Sequence, residues 1–542
     1  MIGSMPAVAD VIISRLRDAG VAAMFGVPGG GSNLDLVEAA GRARLPFVLT
    51  STETAGALAA VAQAEVTGRP GACLTTLGPG AASVVNGVAG AFLDRVPLIV
   101  FTDSHPELFA HQRLDHRALM APITKWSACL AADTADDTLE RAIAIATAPP
   151  QGPVHLDCPG DVASIDAPTR VARPVQGREP QPDVARPFQG RGRSGDPERV
   201  ALHLQTARKP LLLVGLGARR PEDAAAIRAF CQRRTVPAMV TYKAKGVVPD
   251  DHPLFAGVFT NATIEQPVID ESDLLIGVGL DPVELIPRPW IRGQPIVNCG
   301  PYPVEDRHVP FAAQLVDAVP ACVDYLDARV RSSDWRIERL RAAVSEQRRR
   351  ILVPARGLAA QDVVLVAAEH LAASTRVAVD AGAHMFPVTM LWPVRKPNDM
   401  LISNGLSTMG FALPAAIGAA LLDRDRPVVA LTGDGGLLMC AAELATAVRE
   451  RLHVMVIVFS DASLSLIEIK QRQRHHEQAG VALGTIGWPA LAASFGVAAS
   501  CATSEAEIGR CIDQAVGRKG PSLIEARIDP SNYGRTLAAV RG

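Results

Sequence analysis

An α/β protein built from three doubly wound, parallel-sheet domains is what this sequence predicts, on three observations. Its 542 residues suffice for about three domains at ~150–200 residues each. Apolar runs of strand length alternate with stretches of helical spacing, and sharp Gly- and Pro-containing turns separate them. Residues 428–470, VVALTGDGGLLMCAAELATAVRERLHVMVIVFSDASLSLIEIK, spell out one complete strand–helix–strand unit. An apolar run over 428–431 enters the turn Gly433-Asp434-Gly435, a helical segment covers roughly 438–451, and a second apolar run over 454–459 ends at Ser460-Asp461. Such a unit normally closes with parallel strands and a right-handed crossover. Both polar turns are therefore expected at the carboxyl ends of neighbouring strands, where open α/β sheets bind ligands. Asp434 and Asp461, well separated in sequence, are then expected to be neighbours in space. Two oxygen ligands beside a glycine turn and a helix N-terminus suit a divalent cation holding a diphosphate.

The remaining elements follow the same alternation. In residues 1–165, positions 7–19 read as an amphipathic helix and 23–27 as a strand. Pro28-Gly29-Gly30-Gly31 is a turn, with Ser32 or Asn33 suited to cap the next helix. A strand over 47–50 runs into Ser51-Thr52-Glu53, and a helix covers 55–67. The strand 72–77 closes on Gly78-Pro79-Gly80-Ala81, followed by a helix over 84–93 and a strand over 98–102. Residues 166–197, rich in Pro, Gly, Arg and Gln, read as an exposed linker. Residues 198–335 form a middle Rossmann-like domain with strands over 210–214, 274–278 and 295–297. Gly215-Leu216-Gly217 opens like a dinucleotide fingerprint, but Arg220 stands where the third glycine belongs, and no P-loop pattern is present. Residues 336–358 are an arginine-rich connecting helix, and 359–542 make the last domain, whose strand 377–379 ends in Asp380-Ala381-Gly382-Ala383-His384.

These motifs resemble those of thiamine diphosphate (ThDP) enzymes, in particular the acetolactate synthase group with its benzoylformate decarboxylase, pyruvate oxidase and 2-hydroxyacyl-CoA lyase relatives. The resemblance spans nearly the whole chain and implies a pyrimidine-binding first domain and a diphosphate-binding last one. In that family a GDG turn is followed at similar spacing by an Asn; Asp461 stands in its place here. By carry-over, Asp434, Asp461 and the Ser463 carbonyl would hold Mg²⁺, with Gly433, Gly435 and Gly436 at the diphosphate. Pro28, Gly29, Gly30 and Gly80 match the family's PGG and GPG turns. Glu53 matches the glutamate that hydrogen-bonds the aminopyrimidine and promotes the tautomer acting as base, a duty that calls for a buried carboxyl of raised pKa. SNGLSTMGFALPAAIGAAL, from Ser403, resembles GGLGTMGFGLPAAIGA. Met409 would wedge beneath the cofactor, and backbone groups of Ser407 and Met409 would bind its pyrimidine. Asp380 and His384 fall beside the diphosphate, His384 being equally readable as a structural residue. Leu464 and Leu466 would line the cofactor and substrate cavity.

HQRLDHRALMAPITKWS places His111, Gln112 and Lys125, with Gly31, at the implied substrate entrance. Lys470 falls where branched-chain acetolactate synthases carry a tryptophan that selects the second oxo acid. The middle domain can bind FAD in that group. TYKAKGVVPDDHPLFAG resembles its flavin-bearing members, but FTNATIEQ and GLDPVELI lack their patterns, so a middle domain without flavin is favoured. Family architecture implies a homodimer or homotetramer, with Glu53 of one chain facing Asp434 of another.

Composition narrows the rest. A net charge of −2 offers no footprint for nucleic acid. Nine scattered cysteines without a CxxC pair argue against a disulfide framework or zinc site. The first residues lack a signal-peptide pattern, and no apolar run reaches the ~18 residues of a membrane span. The expectation is a cytoplasmic, ThDP- and Mg²⁺-dependent enzyme that decarboxylates a 2-oxo acid and ligates the product to a second carbonyl, as acetolactate synthases do. Alternatives are a simple 2-oxo acid decarboxylase, a 2-hydroxyacyl or hydroxyketone C–C lyase, a non-catalytic cofactor-binding relative and, in a different class, an FAD- or NAD-binding oxidoreductase using the middle domain.

Overall fold

The computed structural model describes residues 6–104, 110–167, 195–305 and 308–542. Most of the expected linker, residues 168–194, lies outside them. The chain forms two compact units, residues 1–189 with 417–422, and residues 190–416 with 423–542.

In the first unit, β1 (Met24–Val27), β2 (Phe47–Leu49), β3 (Gly71–Thr75), β4 (Leu98–Ser104), β5 (Trp126–Cys129) and β6 (Pro153–Pro159) form one sheet in the order β2-β1-β3-β4-β6-β5. Every pairing is parallel, so the chain must cross over between strands. β3 and β4 are buried almost throughout, which is why they read as unbroken apolar runs. β5 and β6 are missing from the sequence expectation; β6 carries His155 and Asp157 inside an otherwise apolar strand, and β5 is half exposed. The helix Val8–Asp18 buries one stripe, Val8, Ile12, Ile13 and Leu16 among others.

Two local expectations are corrected here. The helix expected over 84–93 is preceded by another, Pro79–Ser83, so the Gly-Pro-Gly turn is itself a helix start with proline at its first position. Neither Ser32 nor Asn33 caps the helix Ser32–Arg42, which begins at Ser32. The carboxylate of Asp103, from the end of β4, accepts the Gly31 and Ser32 amides at 3.0 Å each and satisfies those donors from across the sheet.

The second unit holds two parallel sheets. One contains β7 (Pro210–Val214), β8 (Ala238–Val240), β9 (Phe255–Val258), β10 (Leu274–Val278), β11 (Ile296–Gly300) and β12 (Phe311–Val316) in the order β12-β11-β10-β7-β8-β9, that of dinucleotide-binding Rossmann sheets. The other contains β13 (Arg376–Val379), β14 (Met400–Ile402), β15 (Val428–Gly433), β16 (Val454–Ser460), β17 (Ala498–Ala502) and β18 (Ser522–Arg527) in the order β14-β13-β15-β16-β18-β17. One continuous hydrophobic core serves both, from Val200 and Leu204 through Phe386 and Trp392 to Leu537 and Val540. The helix Ile337–Ile351 lies on the expected connector and buries Leu340, Ala343 and Ile351. β8, β9 and β14 have only three or four residues, too few for a periodic pattern to show.

The 428–470 unit folds as expected, with β15 and β16 parallel and Gly433 opposite Phe459. Its helix differs: it begins at Asp434 and breaks into Asp434–Cys440 and Glu443–Arg449. Among the described residues no helix is long and apolar enough to cross a membrane.

Candidate functional site

Parallel register brings the ends of β15 and β16 together, and with them Asp434 and Asp461. Asp434 is buried as the first residue of its helix. Its Oδ1 accepts the Gly435 amide at 2.8 Å, and its Oδ2 accepts the amides of Ala462 at 2.7 Å and Asp461 at 3.2 Å. The loop after β16 is thus folded onto the GDG carboxylate, with Ala462 at a left-handed φ of 58°. Asp461 Oδ1 accepts the Ser463 amide at 3.2 Å and Oδ2 the Ser465 hydroxyl at 2.5 Å. Burial raises the pKa of both acids; Asp461 is pushed up to about 6, first by burial, with the Asp434 charge adding to it. Two carboxylates held together in a poorly solvated place favour a bound cation. Among the described residues no group of three or more His, Cys, Asp or Glu side chains is placed to hold a metal. The donors here are oxygens, as a hard divalent cation requires, and a cation would draw its further oxygens from water or a bound anion.

Four glycine positions show what surrounds the turn. A Cβ on Gly435 would lie 2.6 Å from Leu464 Cδ2 and 3.2 Å from Met409 Cε, so both side chains reach the GDG turn. A Cβ on Gly436 would lie 2.2 Å from Asp380 Oδ2, and one on Gly433 would lie 3.3 Å from the His384 ring. A Cβ on Gly382 would also strike that ring, at 2.7 Å from Cε1. His384 is buried and stacks on Phe459 at 5.0 Å between centroids, and its Nε2 has no hydrogen-bond partner among the described residues. Burial pulls its pKa down to about 4, so the ring is neutral. An unpartnered ring nitrogen beside the GDG turn fits a site that receives a polar ligand.

Asp380 is engaged within the protein. Its Oδ1 accepts the Phe411 amide at 2.9 Å, and its Oδ2 accepts the Gly410 amide at 3.1 Å and the Thr432 hydroxyl at 2.7 Å. It pins the segment bearing Met409 to β15. Ser407 is exposed at a left-handed φ of 54°, with its hydroxyl on the Asn404 carbonyl. In the helix Ser465–Gln473, Leu466 packs on the core and Lys470 faces solvent. The Ser463 hydroxyl donates to Glu468 Oε2 at 2.6 Å, which ties the loop after β16 to the same helix.

In the first unit the turns gather in the same way. Glu53 opens the helix Glu53–Thr67, whose N-cap Thr52 accepts the Ala55 amide at 3.1 Å. A Cβ on Gly80 would lie 3.1 Å from Glu53 Oε1, 2.2 Å from Thr75 Oγ1 and 2.8 Å from Thr76 Cγ2. A Cβ on Gly29 would lie 2.3 Å from Thr76 Oγ1, so the Gly-Pro-Gly turn and the Pro28–Gly31 turn meet around Thr76. The Gly29 amide donates to Asn33 Oδ1 at 2.8 Å, while Pro28 and Gly30 are exposed. Glu53 itself is only half-buried in the single chain, short of the burial expected of it. His111 and Gln112 are exposed; the Gln112 carbonyl would lie 2.5 Å from a Cβ on Gly78. Lys125 is engaged at a helix end. Its ammonium donates to the carbonyls of Ile145 and Ala148, at 2.7 Å for the latter, and caps the C-terminus of the helix Ala135–Thr147. Burial lowers its pKa to about 8.

Two clusters escape the sequence reading. One is a buried network under the Gly-Pro-Gly turn, joining Gly78, His116, Asp157, Thr102, His155 and Ser127. Its only sequence signal is two polar residues inside the apolar stretch of β6. The other lies at the switch point between β7 and β10. Glu284 is buried there; its Oε2 accepts the Leu216 amide at 2.7 Å and its Oε1 the Thr241 hydroxyl at 2.5 Å. The Gly217 amide donates to the Gly279 carbonyl at 2.9 Å. In a Rossmann sheet this turn offers its amides to a dinucleotide diphosphate. Here the protein's own carboxyl and carbonyl take them, and the residues do not fit that group.

Three family descriptions match the chain in succession: thiamine pyrophosphate enzyme, N-terminal TPP binding domain, over residues 6–121; central domain, over 197–326; and C-terminal TPP binding domain, over 380–526. The chain is similar to acetolactate synthase isozyme 1 large subunit of Escherichia coli (strain K12), 28% identical over 96% of this chain and 94% of that protein. It is also similar to acetolactate synthase of Bacillus subtilis (strain 168), 28% identical over 97% and 93%. Probable 2-ketoarginine decarboxylase of Pseudomonas aeruginosa is 30% identical over 96% of this chain and 93% of that protein.

Proposed function

The chain belongs to the thiamine pyrophosphate enzyme family, and on that premise we propose that it is a Mg²⁺-dependent enzyme that decarboxylates a 2-oxo acid and joins the remaining fragment to a second carbonyl compound. It is an acetolactate synthase-like, ThDP-dependent enzyme. The observation that carries the reading is the cluster at the end of β15, where two carboxylates, a bare glycine turn, the Met409 methyl and an unpartnered His384 nitrogen converge.

When bound, ThDP supplies a carbon nucleophile and an electron sink for the bond that loses CO₂. Asp434, Asp461 and the Ser463 carbonyl would hold the cation, and Gly433, Gly435, Gly436 and His384 would border the diphosphate. Met409 and Leu464 would close the apolar side of the same cavity. Glu53 would exchange a proton with the pyrimidine ring, general acid–base work that asks for a carboxyl removed from water. Its half-burial in one chain supports a second copy as the missing wall. So do Leu34, Leu438 and Met439, which are 58%, 45% and 61% exposed on the helices that follow the two glycine turns. A homodimer is therefore part of the reading, and light scattering after size exclusion tests it: an active monomer contradicts it.

No flavin or nicotinamide chemistry is assigned to the middle domain, on the strength of Glu284 in the turn. Decarboxylation without ligation is the second reading, favoured by similarity to the 2-ketoarginine decarboxylase. A panel of 2-oxo acids, with and without a second carbonyl compound, separates the two by CO₂ release and product mass. Aldehyde as the sole product throughout would eliminate ligation.

A further inference from the structure

We propose that His116 is a positioning residue that, backed by Asp157, holds the Gly-Pro-Gly turn in place against the Glu53 carboxyl. The inference rests on reading Glu53 as the cofactor's proton partner.

The network has one consistent set of protons. The Gly78 amide lies 3.0 Å from His116 Nε2 and can only donate, so Nε2 is the acceptor. The proton of this neutral ring is then on Nδ1, which donates to Asp157 Oδ1 at 2.9 Å. The Thr102 hydroxyl donates to the same oxygen at 2.7 Å. Thr102 Oγ1 therefore accepts from His155 Nε2 at 2.7 Å, and His155 Nδ1 accepts from Ser127 Oγ at 2.7 Å. Every bond runs towards Asp157, from two directions. Burial holds the His155 pKa down to about 4, consistent with its neutral place in the chain of donors.

The end of this network is not a surface but a turn. Gly78 has a left-handed φ of 58° and is the N-cap of the helix Pro79–Ser83, so its amide has no partner within that helix. His116 supplies the partner. Two residues on, Gly80 lies against Glu53 Oε1. A turn left without its anchor is free to shift, and misplacement of about 1 Å can cost on the order of a hundredfold in rate. The β4–β6 register, with Thr102 opposite Asp157, fixes the far end of the network.

The test uses the full-length enzyme with ThDP and Mg²⁺ at saturation. H116F keeps a ring but has no acceptor; H116Q keeps an acceptor. H116F is expected to lower kcat about tenfold to a hundredfold, with KM for the 2-oxo acid changed by less than about twofold. The near-UV circular dichroism of the bound cofactor should change with it, while cofactor affinity by calorimetry stays within about threefold. H116Q should retain kcat within about threefold. On an E53Q background, H116F should add little further loss, because it acts through Glu53. Wild-type kcat and dichroism in H116F, or a full additional loss on E53Q, overturns the proposal. Should H116F fail to fold, D157N is read the same way, and wild-type turnover there overturns it too. An E53Q enzyme of full activity sinks the Glu53 reading; a crippled E53Q beside an unimpaired H116F sinks only the role given to His116.

Discussion

The first and third sheets have the same strand order, yet they make opposite use of it. Each places turns at the ends of its first and third strands and an acid at the end of its fourth, all at the carboxyl edge: 28–31, 78–80 and Asp103 in the first sheet; 380–383, 433–435 and Asp461 in the third. In the first sheet one acid, Asp103, stands at the end of the fourth strand, and the Gly31 and Ser32 amides and the Ser32 hydroxyl converge on it. Its charge is used up in shaping a loop. In the third sheet Asp380 is likewise spent on the Gly410 and Phe411 amides and the Thr432 hydroxyl, but Asp434 and Asp461 stand together and share what the backbone amides of one loop offer. A single carboxylate can be solvated by the fold; two close together and largely removed from water invite a cation. Topology provides the places, and the number of charges put there decides what they bind.

The comparison is broken most sharply by exchanging the duties of its acids. E53Q should lower kcat about a hundredfold to ten-thousandfold while cofactor affinity, measured by calorimetry, is retained. Loss of affinity instead would make Glu53 a binding residue. D434N should weaken Mg²⁺-dependent cofactor uptake by at least about a hundredfold. D103N, in the first sheet at the place Asp461 holds in the third, should keep that uptake and cost about 1–3 kcal/mol of stability in denaturant melts. If D103N abolishes uptake and D434N does not, the assignment of the two edges is reversed.

Smaller effects sharpen the same contrast. In G80A the new methyl meets Thr75 Oγ1 at 2.2 Å and Glu53 at 3.1 Å, whereas in G435A it meets the flexible ends of Leu464 and Met409 at 2.6 and 3.2 Å. G80A should therefore lose about tenfold in kcat and G435A only about threefold, in steady-state assays at full cofactor.

The pH dependence of stability should also differ between the sheets. His155 is held down to about 4, so between its ordinary pKa near 6.5 and that value the unfolded chain binds a proton the folded chain refuses. Its contribution is present above that window and is lost as pH falls, by on the order of 3 kcal/mol in all. Asp461, pushed up to about 6, has the opposite sign: its folded form keeps a proton the unfolded chain releases, and stability falls as pH rises from about 4 to 6. In metal-free denaturant melts, H155N and D461N should give difference curves against wild type of opposite slope. Parallel curves would remove the electrostatic half of the contrast.

Much of this is legible in the chain itself. Buried parallel strands announce themselves as unbroken apolar runs, and β3, β4, β7, β10, β15 and β16 all do so. Asp434 and Asp461 can be paired from sequence because one strand–helix–strand crossover fixes where its two ends lie. The helix between them is harder to place in detail, because nothing local says that it starts at Asp434 or breaks near Ala441. The partners of Lys125, two carbonyls at a helix end, are twenty and more residues away, so nothing local announces them.

Apolar periodicity and turn chemistry are local, so the three-domain α/β class, the long buried strands and the two acids beside a glycine turn were determined by the sequence alone. Which polar groups are already satisfied was decided only by the tertiary structure. Asp380 is spent on Gly410, Phe411 and Thr432, Glu284 fills the nucleotide turn, and His116 is spent on Gly78. The physical reason is that a hydrogen bond is a matter of a few ångströms in space, and strands such as β4 and β6 become neighbours without being neighbours in sequence.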